Sequence, residues 1–217
     1  MSVLLVACGA LAREVIALRD RHGWDAKVLA VPALLHNTPE RIPEAVARRI
    51  AQDGAGYERV IVVYGDCGTA GRLDEALRAW GAERISGPHC YEQYAGAEGF
   101  AALMEEEPGT FFLTDYLAGS FDHLVIEGLG LDRYPELRDR YFGHYRRVVY
   151  LQQRQDPALL ARAQAAAQAL GLPLEVRPTG YGALEQRLLA LMNGTQDTRD
   201  TEAAHVTGQE AQDDGGR

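Results

Sequence analysis

The stretch RVIVVYGDCG, residues 59–68, decides how this chain folds. Its first six residues are mostly apolar and rich in valine and isoleucine, which predicts a strand buried on both faces. The Gly-Asp-Cys-Gly that follows is typical of a turn, and a helix is predicted near residues 72–80. A buried strand that leads through a turn into a helix is the repeating unit of an α/β protein.

The same alternation extends in both directions from this unit. Toward the N-terminus we predict a strand at 2–7, a helix at 10–21, a second strand at 27–31 and a helix opened by Pro39 and Pro43. Toward the C-terminus we predict strands at 83–85, 110–113, 147–151 and 174–177, with helices at 115–127, after Pro135, at 158–170 and at 183–192. The pattern predicts an α/β fold, a mostly parallel sheet with helices on both faces, in a single domain over residues 1–193. A division into two similar halves near residue 100 stays open.

Length and composition exclude several classes of protein. With 217 residues, 47% hydrophobic and 24% charged, the chain can bury one sizeable core. No apolar run approaches the roughly 18–20 residues that span a bilayer, so no membrane partner is expected. The N-terminal apolar run lacks a preceding basic region and is soon followed by Arg13 and Glu14, so we predict a buried strand, no export signal and a cytoplasmic location.

The charge distribution argues against nucleic acid as a partner. The net charge is −9, and residues 194–217 carry six acids and only two bases. We predict that this segment is a disordered acidic tail, because it is polar and poor in apolar residues. An acidic chain without a basic cluster lacks the lysines and arginines that bind phosphates in nucleic acids.

Three cysteines, Cys8, Cys67 and Cys90, are the main candidates for chemistry. Their odd number and the predicted location argue against a disulfide framework. Each follows a predicted strand, and ligands of parallel sheets collect beyond the carboxyl ends of the strands. If those strands are neighbours, the three thiols meet at one edge of the sheet.

Three thiolates at one point suit zinc, with a fourth position left open, or an iron–sulfur cluster with one free iron. His89 is a candidate fourth metal ligand or a partner of one, and Asp66 is a candidate orienting group or base. The alternative is that the cysteines fill the core as small apolar residues, which is common for free cysteine.

Other polar residues near these turns have a functional and a structural interpretation. Gly65, Asp66 and Gly68 resemble a phosphate-binding turn at a helix start, although no Walker A lysine follows, and the glycines can serve only to place Cys67. Glu14 either points into the cleft beside Cys8 or stabilises a helix N-terminus. Residues 114–116, Thr-Asp-Tyr, either form a lip of the same cleft or cap the next helix.

Four segments carry a family resemblance: CGAL at 8–11, YGDCG at 64–68, HCYE at 89–92 and PGTFFLT at 108–114. They resemble the hallmark blocks of a bacterial and archaeal domain-of-unknown-function family with three recurring cysteines, over about residues 2–191. Members are often encoded near corrinoid-dependent methyltransferases that act on methylamines or betaines. The resemblance implies a cysteine site and, by association, a role beside a corrinoid protein or a methyltransferase.

Two hypotheses of different classes follow. In the first, the protein binds zinc or an iron–sulfur cluster through the three cysteines and serves one-carbon or corrinoid-dependent methyl metabolism. In the second, it is a non-catalytic accessory or cofactor-binding partner of a corrinoid methyltransferase system, and the cysteines are structural. The residues leave open whether the protein is an enzyme.

Overall fold

The computed structural model describes residues 2–194 and confirms the α/β fold. Within that range the strands are β1 (Val3–Cys8), β2 (Ala26–Val31), β3 (Arg59–Val63), β4 (Glu83–Arg84), β5 (Thr110–Leu113), β6 (Arg147–Gln152) and β7 (Leu174–Pro178). All paired strands are parallel. The predicted acidic tail lies outside the described residues apart from Gly194.

The helices connect the strands as the alternation predicted. They are α1 (Ala12–His22), α2 (Ile42–Asp53), α3 (Arg72–Arg78), α4 (Cys90–Ala95), α5 (Ala97–Glu106), α6 (Asp115–Gly119), α7 (Leu137–Phe142), α8 (Pro157–Leu170) and α9 (Gly182–Met192). A π-helical segment, Asp122–Glu127, follows α6. Helices α4 and α5 were not predicted from the sequence. Across residues 2–194, no helix has both the length and the apolar character needed to cross a membrane.

The strands form two sheets and not one continuous sheet. The first has the order β2-β1-β3-β4 and the second has the order β5-β6-β7. Both sheets contain β-α-β units of neighbouring strands, and in two of these, β1-α1-β2 and β6-α8-β7, the helix ends at a left-handed glycine, Gly23 or Gly171. We call the part built on the first sheet the first lobe and the part built on the second sheet the second lobe.

The two lobes share apolar packing through β6. Its side chains alternate between two clusters, as the period of two along a strand requires. Val149 and Leu151 belong to the cluster that contains β1 and β3, whereas Val148 and Tyr150 belong to the cluster of the second lobe. Burial on both faces explains why β6 is a continuous apolar run.

The C-terminal helix α9 returns to the first lobe. Leu184 and Leu188 are fully buried in the same cluster as β1. The Arg59 guanidinium of β3 donates to the carbonyl of Leu191 at the end of α9, over 2.8 Å. The chain therefore begins and ends its described part in the same lobe, with the second sheet inserted between.

Candidate functional site

The three cysteines lie at the carboxyl ends of neighbouring strands. Cys8 is the last residue of β1, Cys67 lies in the loop after β3, and Cys90 begins α4 after β4. In the sheet, β1 pairs with β3 and β3 pairs with β4. The expectation that these strands are neighbours is therefore confirmed.

The loop after β3 packs directly against the loop after β4. The backbone N–H of Asp66 donates to the carbonyl of Gly87 over 3.0 Å, and that of Cys67 donates to the carbonyl of Pro88 over 2.6 Å. A Cβ atom at Gly65 would lie 2.8 Å from the Cα of His89, which is too close for any side chain. Glycine at position 65 therefore permits the close approach that brings the segments of Cys67 and Cys90 together.

The Asp66 carboxylate holds this loop in shape. It accepts hydrogen bonds from the Thr69 hydroxyl at 2.7 Å and from the backbone N–H groups of Ala70 at 3.1 Å and Gly71 at 2.9 Å. Burial tends to raise the pKa of Asp66, but these hydrogen bonds lower it overall. Both carboxylate oxygens thus have partners inside the loop, and a role of Gly65, Asp66 and Gly68 toward a phosphate stays a prediction.

Cys67 adopts a backbone conformation that is rare for a residue with a side chain. Its φ angle is 48°, in the left-handed region, and Ala70 in the same loop has a φ angle of 53°. Such conformations cost about 1 kcal/mol or more each and cluster at functional sites. The hydrogen bonds of Asp66 compensate for part of this cost.

Burial raises the pKa of all three thiols. Burial first, and then the charges of the other two cysteines, raises the pKa of Cys90 well above its usual value. Burial and the charge of Cys8 raise the pKa of Cys67 to about 12. Burial likewise raises the pKa of Cys8, although the hydrogen bond that the Ala10 N–H donates to its sulfur over 3.4 Å opposes that shift.

Tyrosines surround the thiols. Tyr64 is fully buried, and burial together with the charges of Cys8 and Cys67 raises its pKa. Tyr94 is also buried, and burial followed by the charges of Glu14 and Cys90 raises its pKa. No hydrogen-bond partner for the Tyr94 hydroxyl lies within residues 2–194.

The structure places His89 at the start of α4, beside Cys90. Its ring packs edge-on against Phe100 at 4.6 Å and tilted against Tyr91 at 5.5 Å between ring centroids. Its Nδ1 atom is buried and finds no partner in the described part of the chain. Burial lowers the pKa of His89, so the ring is held in the neutral form that metal ligation requires.

No ready-made metal centre is formed by these side chains. Among the described residues, no group of three or more His, Cys, Asp or Glu side chains is arranged to hold a metal ion. The three predicted ligand segments are brought to one place, but Cys8, Cys67, Cys90 and His89 do not have the arrangement of a formed site. All three cysteines are free thiols.

A cavity of about 390 Å³ lies between the first and second lobes. Arg13 and Glu14 line it from α1, and Asp115, Tyr116 and Arg154 line it from the carboxyl ends of β5 and β6. Burial and the charge of Cys8 raise the pKa of Tyr116, which connects this cavity electrostatically to the thiols. The carboxyl edges of both sheets thus meet at one cleft, where open α/β sheets bind ligands.

Glu14 is the unusual residue of this cleft. Its side chain is only 3% exposed, and its Oε2 atom is left without a hydrogen-bond partner among residues 2–194. Burial raises its pKa, the nearby charge of Asp115 adds to this, and Arg154 and Arg13 oppose it. A buried carboxyl group with an unsatisfied oxygen is rare enough in proteins to need an explanation.

The segment Thr-Asp-Tyr at 114–116 caps a helix, as predicted, and lines the cavity between the lobes. The Thr114 hydroxyl accepts the Leu117 N–H over 3.3 Å and so caps α6. Asp115 is buried and accepts from the Tyr150 hydroxyl at 2.7 Å, from the Gln153 N–H at 3.1 Å and from Arg154 Nε at 3.0 Å. Tyr116 lines the cavity.

Sequence reasoning did not single out Arg154, Tyr64 or Tyr94 as parts of the site. Arg154 lies just beyond the carboxyl end of β6. Its position after the strand RVVYLQ could have identified it as a candidate site residue. Tyr64 directly follows β3 and belongs to the predicted strand and to the YGDCG segment, but no role in the site was predicted for it from the sequence. Tyr94 lies on α4, a helix that the sequence pattern did not predict.

The fold and the site define a class: an α/β protein of two parallel sheets with three free thiols at the carboxyl ends of adjacent strands and a cleft between its two lobes. Residues 30–188 match the family model described as protein of unknown function (DUF1638), and the chain belongs to that family. The match includes Cys67 and Cys90, whereas Cys8 lies before it. No match to the chain was found among curated proteins or among solved structures.

Proposed function

We propose that this protein binds zinc or an iron–sulfur cluster through Cys8, Cys67 and Cys90 at the carboxyl edge of its first sheet. The observation that carries the proposal is the position of the three cysteines, on three separate segments of the chain, at the carboxyl ends of three adjacent strands, β1, β3 and β4. Chance burial of three cysteines distributes them over the core, whereas here each follows one of three adjacent strands.

The donor set suits a soft or borderline metal. Thiolates favour zinc and iron–sulfur clusters, and three protein ligands leave a position open for water or substrate. The raised thiol pKa values belong to the protein without a metal, and a bound cation reverses such shifts because it stabilises the thiolates. Binding would therefore release protons and require the thiol side chains to turn toward a common point.

Several residues of the chain would support such a site. The strained loop held by Asp66 presents Cys67, and the Ala10 N–H donates to the Cys8 sulfur over 3.4 Å. The neutral ring of His89, with a buried and unpartnered Nδ1 atom, is the candidate for a fourth ligand. When bound, zinc or a cluster would supply activation of a thiol or other nucleophile, or redox and Lewis-acid chemistry.

The biological setting is inferred from the family resemblance alone. It suggests one-carbon or corrinoid-dependent methyl metabolism, with a corrinoid protein or a methyltransferase as partner.

A second candidate function has one observation in its favour. Cys8 is 1% exposed and belongs to the main apolar cluster, against which Cys67 and Cys90 also pack. Cysteines in such surroundings can be structural, and the protein would then be an accessory or cofactor-binding partner with no metal of its own.

Metal and acid-labile sulfide analysis of protein purified without oxygen tests the two candidates. We expect a metal or a cluster in stoichiometric amount in the wild type, and its loss in Cys67→Ser and Cys90→Ser with the fold retained by circular dichroism. Ala7→Ser is the matched control, because it places a hydroxyl group in β1 beside Cys8 and keeps all three thiols. A well-folded wild type without metal would favour the accessory protein.

A further inference from the structure

We propose that the cavity between the two lobes is a binding site for a small organic acid, held by arginine side chains through its carboxylate and by Glu14 through a hydrogen-bond donor at its other end. Binding in this cavity goes beyond the proposed metal function and does not require a metal at the thiols. Its volume of about 390 Å³ is within the range of small-molecule sites.

Most of the side-chain groups in the cavity that are still free to form hydrogen bonds are donors. The two aspartates that line it are occupied by protein donors. Asp115 accepts from Tyr150, Gln153 and Arg154, and Asp156 accepts from the N–H groups of Ala158 and Leu159 at the start of α8.

The arginines that line the cavity have donors to spare. Arg154 uses its Nε atom for Asp115 and has its Nη1 atom 3.9 Å from the Asp156 carboxylate, and Arg162 uses one nitrogen for the carbonyl of Gly119 at 2.7 Å. A guanidinium group has five N–H donors, so both keep several that are not used in these bonds. Arg13 is exposed, and its side chain makes no hydrogen bond or ion pair in the structure of residues 2–194. Spare guanidinium donors in a cavity are the usual means of binding a carboxylate.

Glu14 adds the second half of the recognition. It lines the cavity from the same helix as Arg13, and its buried Oε2 atom lacks a partner among the residues described. A ligand hydroxyl or amide group would supply the missing hydrogen bond, which explains why the carboxyl group is tolerated in a buried position. A carboxylate and a hydrogen-bond donor in one molecule describe a hydroxy acid or an amide of a dicarboxylic acid.

Isothermal titration calorimetry with malate as the probe tests this proposal. We expect saturable binding to the full-length wild type, with one site per chain, and weakening by about tenfold or more in Arg13→Ala because a charge-assisted contact is lost. Arg19→Ala is the matched control, since it removes the same charge from α1 at a residue that does not line the cavity. Its affinity is expected to stay within about twofold of the wild type.

Three results would overturn the proposal: no heat of binding with malate, equal affinity of the wild type and Arg13→Ala, or equal affinity for malate and its uncharged diamide. The titration is repeated with the Cys67→Ser variant. Retained malate binding in that variant supports a site that is independent of the metal, and lost binding with the fold intact would contradict that independence.

Discussion

At the scale of single residues, Asp66 is a positioning residue for Cys67. Its carboxylate satisfies the Thr69 hydroxyl and two backbone N–H groups of a loop in which Cys67 and Ala70 are left-handed. Local hydrogen bonds of this kind stabilise turns that the backbone would not adopt alone. The proximity of Cys67 to Cys8 and Cys90 depends on this loop.

We predict that Asp66→Ala lowers the free energy of unfolding by about 1–3 kcal/mol, because three donors lose their acceptor. Urea denaturation measures the change. Asp25→Ala, at an exposed position before β2, is the control and is expected to change stability by less than about 0.5 kcal/mol. Equal stability of the Asp66→Ala variant and the wild type would show that the loop holds its shape without the carboxylate.

Glu14 predicts a pH dependence of stability. Burial raises its pKa above that of the unfolded chain, so the folded state binds the proton more tightly. The stabilisation is complete below the unfolded pKa and is lost as the pH rises through the folded pKa. We therefore expect Glu14→Gln to gain stability relative to the wild type as the pH rises above about 4.3. A stability difference that is constant from acid to neutral pH would contradict the raised pKa.

At the scale of elements, the site depends on contact between the loops that follow β3 and β4. Gly65 faces the backbone of His89 so closely that a methyl group has no space. The contact is made by backbone atoms, which cannot rotate away as a side chain can.

We predict that Gly65→Ala destabilises the protein by about 2 kcal/mol or more through overpacking, and lowers metal affinity by separating Cys67 from Cys90. Gly56→Ala is the matched control, because no atom lies within 4 Å of a Cβ at that position. Thermal unfolding of the two variants measures the difference. Equal melting temperatures would mean that the two loops can move apart at no cost.

Most strands and the longer helices could be predicted from the sequence, because burial and hydrophobic periodicity determine them. The strand RVIVVY, the strand TFFL and the helix from Pro157 to Leu170 follow their patterns closely. Helix α4 could not be predicted, since it has only six residues and ends at Gly96. Helix α5 was missed although Phe100, Leu103 and Met104 have helical spacing and pack against the core. The sequence predicted that the three cysteines follow neighbouring strands. The positions of Tyr94 and Arg154 could not be predicted in this way, because they depend on packing between distant segments.

At the scale of the whole molecule, the two lobes are joined by shared packing and by the return of α9. Whether seven strands form one sheet or two is decided by the pairing at the edges of β4 and β5, and periodicity does not encode that choice. Helix α9 packs in the first lobe although it follows the second sheet, so the order of elements along the chain does not predict its place.

We predict that Leu188→Ala on α9 lowers the free energy of unfolding by about 2–5 kcal/mol, because its side chain is fully buried. Because the lobes share a core, loss of tryptophan fluorescence and of helical circular dichroism should coincide. Both tryptophans, Trp24 and Trp80, lie in the first lobe, so their fluorescence monitors that lobe. Circular dichroism monitors the helices of both lobes. Leu34→Ala, which is 53% exposed, is the control. Two separate transitions would show that the lobes unfold independently.

The most direct test of the central claim, that three thiols from three adjacent strands form one metal site, is X-ray absorption spectroscopy of protein purified without oxygen. For bound zinc, we predict three sulfur neighbours at about 2.3 Å from the metal, no zinc bound in Cys67→Ser, and no change in Ala7→Ser. For a cluster, iron–iron distances accompany the sulfur shell. A metal shell of nitrogen and oxygen alone, or no metal in a well-folded protein, would contradict the claim.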